Sequence, residues 1–312
     1  MRLFRDASYS FLSGRRRAYM LSLSLIAIGV GSVAIHRGLN AGVEFTGGTM
    51  LQVQFSEPTN VAELRDVLNA AGITGEQIQP LRSGGGDAEE YLFRVPTDDE
   101  AGLEGVREQV TAGLAARFGD AGFEVRQAEA IGPKVGDELQ TKATLAILLS
   151  FLLTLIYLAF RFEWRFGFAA VIATMHDLLI TIGFISIMNI EISLATVAAL
   201  LTIIGYSLND TIVVFDRVRE NLKKKRKEGY EATLDRSINE TLPRTVLTSG
   251  TTLTALVALF VLGGGVIRPF ALVLILGIVV GTYSSIFVAS PALLEIHRAV
   301  RRRAGRAAHA AG

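Results

Sequence analysis

Hydrophobic residues fall into two regimes along this chain. Six stretches are apolar almost without interruption: roughly 18–36, 141–160, 167–188, 192–215, 243–263 and 269–290. A bilayer core about 30 Å thick takes about 20 apolar residues as a helix, so each stretch predicts one transmembrane span. The first follows Arg15, Arg16 and Arg17 and resembles a signal peptide, but its apolar run is longer than a signal core. Ile35-His36-Arg37-Gly38 behind it is a poor cleavage site, and a retained anchor is expected.

Between spans one and two the pattern changes to alternation. In 49–55, Leu51, Val53 and Phe55 share one face with Gln52 and Gln54 opposite, the period-two mark of a half-buried strand. Val61, Leu64, Leu68 and Ala71 then recur at helical spacing behind Thr59 and Asn60, either of which suits the N-cap. A strand near 77–82 and a Ser-Gly-Gly-Gly-Asp turn at 83–87 lead into a strand over 90–95. There Tyr91, Phe93 and Val95 alternate with Leu92 and Arg94. A helix over about 98–118 presents Leu103, Val106, Val110 and Leu114, and a last strand carries Phe123, Val125 and Gln127. The order β-α-β-β-α-β predicts a ferredoxin-like α+β domain of about 85 residues, large enough for a modest core of its own. The expected architecture is an α-helical membrane protein with six transmembrane helices and this domain inserted between the first two.

Composition agrees with that picture: half of the 312 residues are hydrophobic and mean hydropathy is positive. Net charge is only +1, yet basic residues bunch in 1–17, 217–227 and 297–306. Positively charged short loops stay cytoplasmic, which places both termini and the 216–242 loop inside and the 37–140 domain outside. The short outer loops, 188–191 and 263–268, hold a single Arg between them. The chain thus divides into 1–36 (N-terminus and first helix), the 37–140 domain, 141–296 (helices two to six with the 216–242 loop) and a basic 297–312 tail. The absence of cysteine excludes disulfides and thiolate metal sites. The glycines at 84–86 lack the Lys-Ser/Thr of a phosphate loop and read as a flexible turn. No hydrolase, transferase or redox site is supported, and no cofactor is expected.

Ionisable residues at bilayer depth are costly and usually face a bundle interior, a partner charge or water. Four qualify: His176 and Asp177 in the third span, Asp210 in the inner part of the fourth and Arg244 at the start of the fifth. For Asp210 the competing account is a helix that ends there with Asn209-Asp210 opening a cytoplasmic loop; against it, residues 211–215 continue uncharged and Arg217 is the better interface marker. Low dielectric favours the protonated form of a carboxyl group and a nearby guanidinium the ionised form, so a helix motion that alters their separation loads and unloads protons. Each proton crossing the full membrane potential releases about 2.3 kcal/mol per 100 mV. For Arg244, interfacial anchoring is the competing account, and for His176–Asp177 a polar helix–helix contact. Gly263, Gly264, Gly265, Gly277 and Gly281 suit close helix packing or bending.

Five motifs carry a family resemblance. They are Gly-Val-Glu-Phe-Thr-Gly-Gly-Thr at 42–49, Val-Gly-Asp-Glu-Leu at 135–139, His176-Asp177, the run from Tyr206 through Asn209-Asp210 to Asn221, and Leu-Pro-Arg-Thr at 242–245. Together they resemble the SecF family, the smaller subunits of SecD–SecF protein-export complexes, over nearly the whole chain. One departure is Glu44, where many members carry Asp. The resemblance implies half of a resistance–nodulation–division (RND) type transporter, with SecD supplying the other half. It also implies use of the proton motive force to help unfolded preproteins leave the SecY–SecE–SecG channel after SecA has driven insertion with ATP. By position it makes Asp210 the intramembrane proton-binding carboxylate and Arg244 its basic partner; Asn209 is expected to orient Asp210 or contribute a hydrogen bond, and His176 and Asp177 are counted with the proton pathway. A further carboxylate is expected from SecD.

The basic cytoplasmic segments suit contact with anionic membrane lipids, although orientation by charge alone explains them equally. Nucleic-acid binding is not expected, since no recognition module accompanies these short tethered clusters. Two other functions compete. An efflux transporter of the RND type would share the buried Asp but usually carries two six-span halves. A passive scaffold would use the charges only to hold helices together.

Overall fold

The computed structural model describes residues 8–74, 76–81, 90–95, 102–224, 228–263 and 267–310. The expected turn at 83–87, residues 98–101, Lys225 to Lys227, and Gly264 and Gly265 lie outside them.

Six helical segments are long and apolar enough to cross a membrane. α1 (Arg15–Ile35) precedes the α+β domain and α5 (Pro133–Arg161) follows it. α6 (Trp164–Ile187), α7 (Leu194–Lys224) and α8 (Tyr230–Leu262) come next. The last segment is α9 (Ile267–Ser284), a π-helical turn (Ser285–Ala289) and α10 (Ser290–Ala310) in sequence. α7 packs against α6, α8 and α9. α5 buries almost none of its apolar surface and α8 little, so both present long apolar faces outward.

Between α1 and α5 lie α2 (Val43–Thr46), β1 (Gly48–Phe55), α3 (Val61–Ala70), β2 (Gln77–Leu81), β3 (Glu90–Val95), α4 (Gly102–Phe118) and β4 (Phe123–Ile131). The strands form one antiparallel sheet in the order β2-β3-β1-β4, the ferredoxin-like arrangement. Leu51, Val53, Phe55, Tyr91, Phe93 and Val95 pack under Leu64 and Leu68 of α3 and Val110 and Leu114 of α4. Asn60, not Thr59, caps α3, its Oδ1 accepting from the Glu63 N–H at 2.9 Å. The opposite sheet face is also covered near α2, where Val43, Met50 and Leu92 cluster.

In the segment 216–242, the sequence reads as a lysine-rich cytoplasmic loop with a helix-like stretch over 230–242, and that stretch is the start of α8. α7 runs to Lys224 and α8 starts at Tyr230, so most of the segment continues the two spans as helix. α8 passes through Pro243 without ending. Proline usually breaks a helix because it lacks an N–H and crowds the preceding turn. Here the turns before it are held by tertiary contacts: Leu234, Ile238 and Leu242 enter a core with Phe215 and Val218. Asp235 and Asn239 also bind the backbone of Leu12 and Tyr9. Arg15 and Arg298 share Glu231, so the N-terminal segment, the start of α8 and α10 meet at the end of the bundle away from the α+β domain.

Candidate functional site

The face of α7 that turns inward carries Ser207, Asp210, Thr211 and Val214, spaced to lie along one side of a helix. Asp210 is 3% exposed. The Ser249 hydroxyl of α8 lies 3.3 Å from Asp210 Oδ2, and among the described residues it is the one side-chain hydrogen bond that Asp210 makes. Ser249 Oγ is also 2.7 Å from Thr282 Oγ1 of α9, and either hydroxyl can donate to the other; the Thr282 hydroxyl can instead donate to the Ile278 carbonyl at 2.7 Å. The single Ser249 hydrogen therefore serves either Asp210 or Thr282. A carboxylate at Asp210 accepts it, and Thr282 then donates to Ser249; a protonated carboxyl donates to Ser249 instead, freeing the Ser249 hydrogen for Thr282, whose own hydrogen goes to the Ile278 carbonyl. This arrangement accommodates both protonation states without moving a heavy atom.

Arg244 lies on α8 five residues before Ser249. Its charge acts on Asp210 electrostatically, but the residue is on the exposed face of the helix and makes no hydrogen bond to the carboxylate among the described residues. Asn209 makes no side-chain hydrogen bond to Asp210 among the described residues. It lies on the exposed face of α7 and is not a partner of Asp210, because consecutive helical residues point about 100° apart. Thr202, Gly205 and Asn209 form a stripe of small and polar residues on that outward face. Arg217, seven residues beyond Asp210, pairs with Glu240 at 2.5 Å and Glu220 at 2.7 Å, about 10 Å further along the helix axis.

Against the same inward face of α7, at Ser207, sits a second carboxylate with a fuller set of partners. Asp177 is fully buried. Its Oδ2 accepts from Ser207 at 2.5 Å and Ser284 at 2.7 Å, and its Oδ1 lies 2.8 Å from His176 Nδ1. His176 Nε2 continues to Ser22 Oγ of α1 at 2.8 Å, and the His176 ring stacks on Tyr283. Tyr283 in turn donates to the Ala18 carbonyl at 3.1 Å. Four helices, α1, α6, α7 and α9, are thus tied by one buried network whose donors match a carboxylate anion. Gly281 makes room for it, since a β-carbon there would lie 3.3 Å from the Ser207 backbone and 3.7 Å from Asp177 Oδ2. The π-helical turn begins next to Ser284; such turns concentrate at functional sites.

Sequence reasoning singled out both carboxylates, His176 and Arg244 but not Ser22, Ser207, Ser249, Thr282 or Ser284. Hydroxyls are common in membrane helices and mostly bond their own backbone, as Thr202 and Thr254 do here, so their type carried no signal. Among the described residues no group of three or more His, Asp or Glu is placed to hold a metal ion.

Six membrane-length helices, an inserted ferredoxin-like domain and two buried intramembrane carboxylates define a multi-pass membrane protein of the transport type. Comparisons with known proteins specify which. The family described as protein export membrane protein SecD/SecF, C-terminal, matches residues 112–299, and the SecD/SecF GG motif matches residues 33–59. The chain belongs to the SecD/SecF family. It is 51% identical over 302 residues to the protein translocase subunit SecF of Gemmatimonas aurantiaca, covering 95% of this chain and 89% of that one. It is 44% identical over 291 residues to the protein translocase subunit SecF of Vibrio alginolyticus, covering 93% and 90%. Among solved structures, SecDF of Thermus thermophilus, a translocon-associated membrane protein, superposes with a TM-score of 0.83 at 38% identity. That match covers 96% of this chain but 40% of the longer SecDF chain. SecDF in a super-membrane-facing form gives 0.69 at 39% identity.

Proposed function

We propose that this chain is a SecF-type subunit that works with SecD to turn the proton motive force into movement, promoting release of unfolded preproteins from the SecY–SecE–SecG channel after SecA-driven insertion. The observation that carries the reading is Asp210: a buried carboxyl group within the span, sparsely hydrogen-bonded, whose one hydroxyl partner suits both its protonation states. A protein needs such a group to take up and release a proton, whereas a carboxylate serving only as a helix clamp is better satisfied by several donors, as Asp177 is. Asp210 is the proton carrier and Arg244 the charge that tunes it. His176 and Asp177 complete the polar wall of the pathway and hold the four helices against which Asp210 changes state.

The outward stripe of Thr202, Gly205 and Asn209 on α7, with Arg244 exposed beside it on α8, supports SecD as the partner. Polar groups at bilayer depth are costly against lipid, so a protein neighbour is the natural cover. The bunching of Lys and Arg supports a bacterial cytoplasmic membrane location with both termini inside, contact with anionic lipids there, and the α+β domain outside. The test is Asp210→Asn in membrane vesicles containing the assembled complex. Stimulation of export by an imposed proton gradient is expected to disappear while the subunit still co-purifies with SecD; gradient-dependent export at the normal rate refutes the reading.

A further inference from the structure

The Gly-Val-Glu-Phe-Thr-Gly-Gly-Thr and Val-Gly-Asp-Glu-Leu motifs build a neck that joins the α+β domain to the helical bundle on three sides. The first side is the covalent passage from α1. There the Gly42 N–H donates to the Ile192 carbonyl at 2.8 Å, and the Ile192 N–H donates to the Asn40 carbonyl at 2.7 Å. These bonds make Ala41 and Ile192 a parallel bridge to the α6–α7 turn. The second side is α5. Gly47 and Gly48 have φ of 74° and 132°, conformations that favour glycine. A β-carbon on Gly136 of α5 would lie 3.0 Å from both the Gly47 nitrogen and the Phe45 carbonyl oxygen, so only glycine lets α5 approach this closely. The third side is ionic. Arg94, in the middle of the sheet and 6% exposed, pairs with Glu191, the residue before Ile192. Glu44 adds its charge to the same arginine, and a β-carbon at Gly42 would collide with the carboxylates of both Glu44 and Glu191. Burial holds the Arg94 guanidinium down at about 10, with Glu44 acting in the opposite direction.

Glu191 and Ile192 lead directly into α7, the helix that carries Asp210. We propose that this neck stays closed throughout the working cycle and that Arg94 and Glu191 are the positioning residues through which displacement of α7 is delivered to the α+β domain. The domain then moves as one body with the α6–α7 turn. The inference rests on the proton-driven reading above, but its readouts are separate.

The chain has no cysteine, so Ala41→Cys with Ile192→Cys introduces its only thiols, at neighbouring bridge positions within disulfide reach. In vesicles holding the assembled complex, proton-driven export and proton flux are measured before and after oxidation. The oxidised staple is expected to support export at the rate of the reduced protein. Loss of export on oxidation, reversed by reductant, overturns the proposal, because the neck must then open. Arg94→Met is expected to lower export at least about fivefold, the low end of coupling between linked sites, while proton flux persists; Arg94→Lys, which keeps the charge, recovers part of it. Unchanged export in Arg94→Met overturns the role of the pair. Should Asp210→Asn keep proton-driven export, the proton reading fails instead, and the staple result still reports whether the neck opens.

Discussion

Ser207 donates to Asp177 at 2.5 Å, and Asp210 lies one turn further along the same helix. Two buried carboxylates with unequal surroundings therefore meet the same inward face of α7. Asp177 receives three side-chain partners from α6, α7 and α9, and Asp210 one from α8. That difference is what the proposed roles of Asp210 as proton carrier and Asp177 as helix clamp rest on.

Arg244 and Arg217 lie near the same end of the bundle but differ in what they touch. Arg244 acts on Asp210, whereas Arg217 is bound by Glu220 and Glu240 outside the apolar run. Arg244→Met is expected to remove proton-gradient-dependent export from vesicles, and Arg217→Met to leave it largely intact. Equal loss in both variants would mean that positive charge at this end, not proximity to Asp210, is what matters.

Ser249→Ala removes the hydroxyl that serves Asp210 in either protonation state. One such hydrogen bond contributes about 0.5–1.5 kcal/mol, so the initial rate of proton-driven export is expected to fall by up to about tenfold. Ser249→Thr, which keeps the hydroxyl, should remain near the parent rate. Rates measured against a range of imposed gradients distinguish the two.

Asp177→Leu strands the donors of Ser207 and His176 in the bundle interior, each at a cost of about 1–3 kcal/mol when left unpaired, while Ser284 keeps the Gly281 carbonyl as acceptor. Asp177→Asn keeps the shape and part of the hydrogen bonding. Thermal denaturation of the detergent-solubilised complex should place the leucine variant well below the asparagine variant. Coincident curves would show that the network does not hold the bundle.

α1 and α6 touch through glycine on glycine: a β-carbon on Gly183 would lie 2.6 Å from the Gly29 Cα, and backbone on both sides leaves nothing flexible to yield. Gly183→Leu should lower stability by at least about 1–3 kcal/mol through overpacking. Gly31→Leu, where a β-carbon meets nothing within 4 Å, serves as the matched control. Protease susceptibility and melting temperature of the two variants, compared in the same detergent, provide the measurement.

Much of this was legible in the chain. Continuous apolar runs had to be spans, because no other secondary structure satisfies its backbone within lipid. Strict alternation at Leu51, Val53 and Phe55 had to be a strand with one face inward. In 216–242 the helix-like stretch over 230–242 was legible, but its continuation through Pro243 into the span and the extension of α7 to Lys224 were not, because a polar, lysine-rich run with a proline behind it resembles a loop. Its helices instead draw their stability from tertiary contacts with the N-terminal segment and the α7 core. Where Asn209 points was not legible either, because adjacency to Asp210 in sequence is not adjacency on a helix surface.

The sequence by itself determined the number of spans, the inserted α+β domain and the placing of Asp177, Asp210, His176 and Arg244 at membrane depth, since hydropathy and period are local properties of the chain. Only the tertiary structure decided which hydroxyls surround each carboxylate, that Arg94 meets Glu191 across the neck, and that Asn209 faces outward. Those relationships join residues tens to hundreds of positions apart, and they depend on helix rotation and on close approach at a few glycines, which no local pattern encodes.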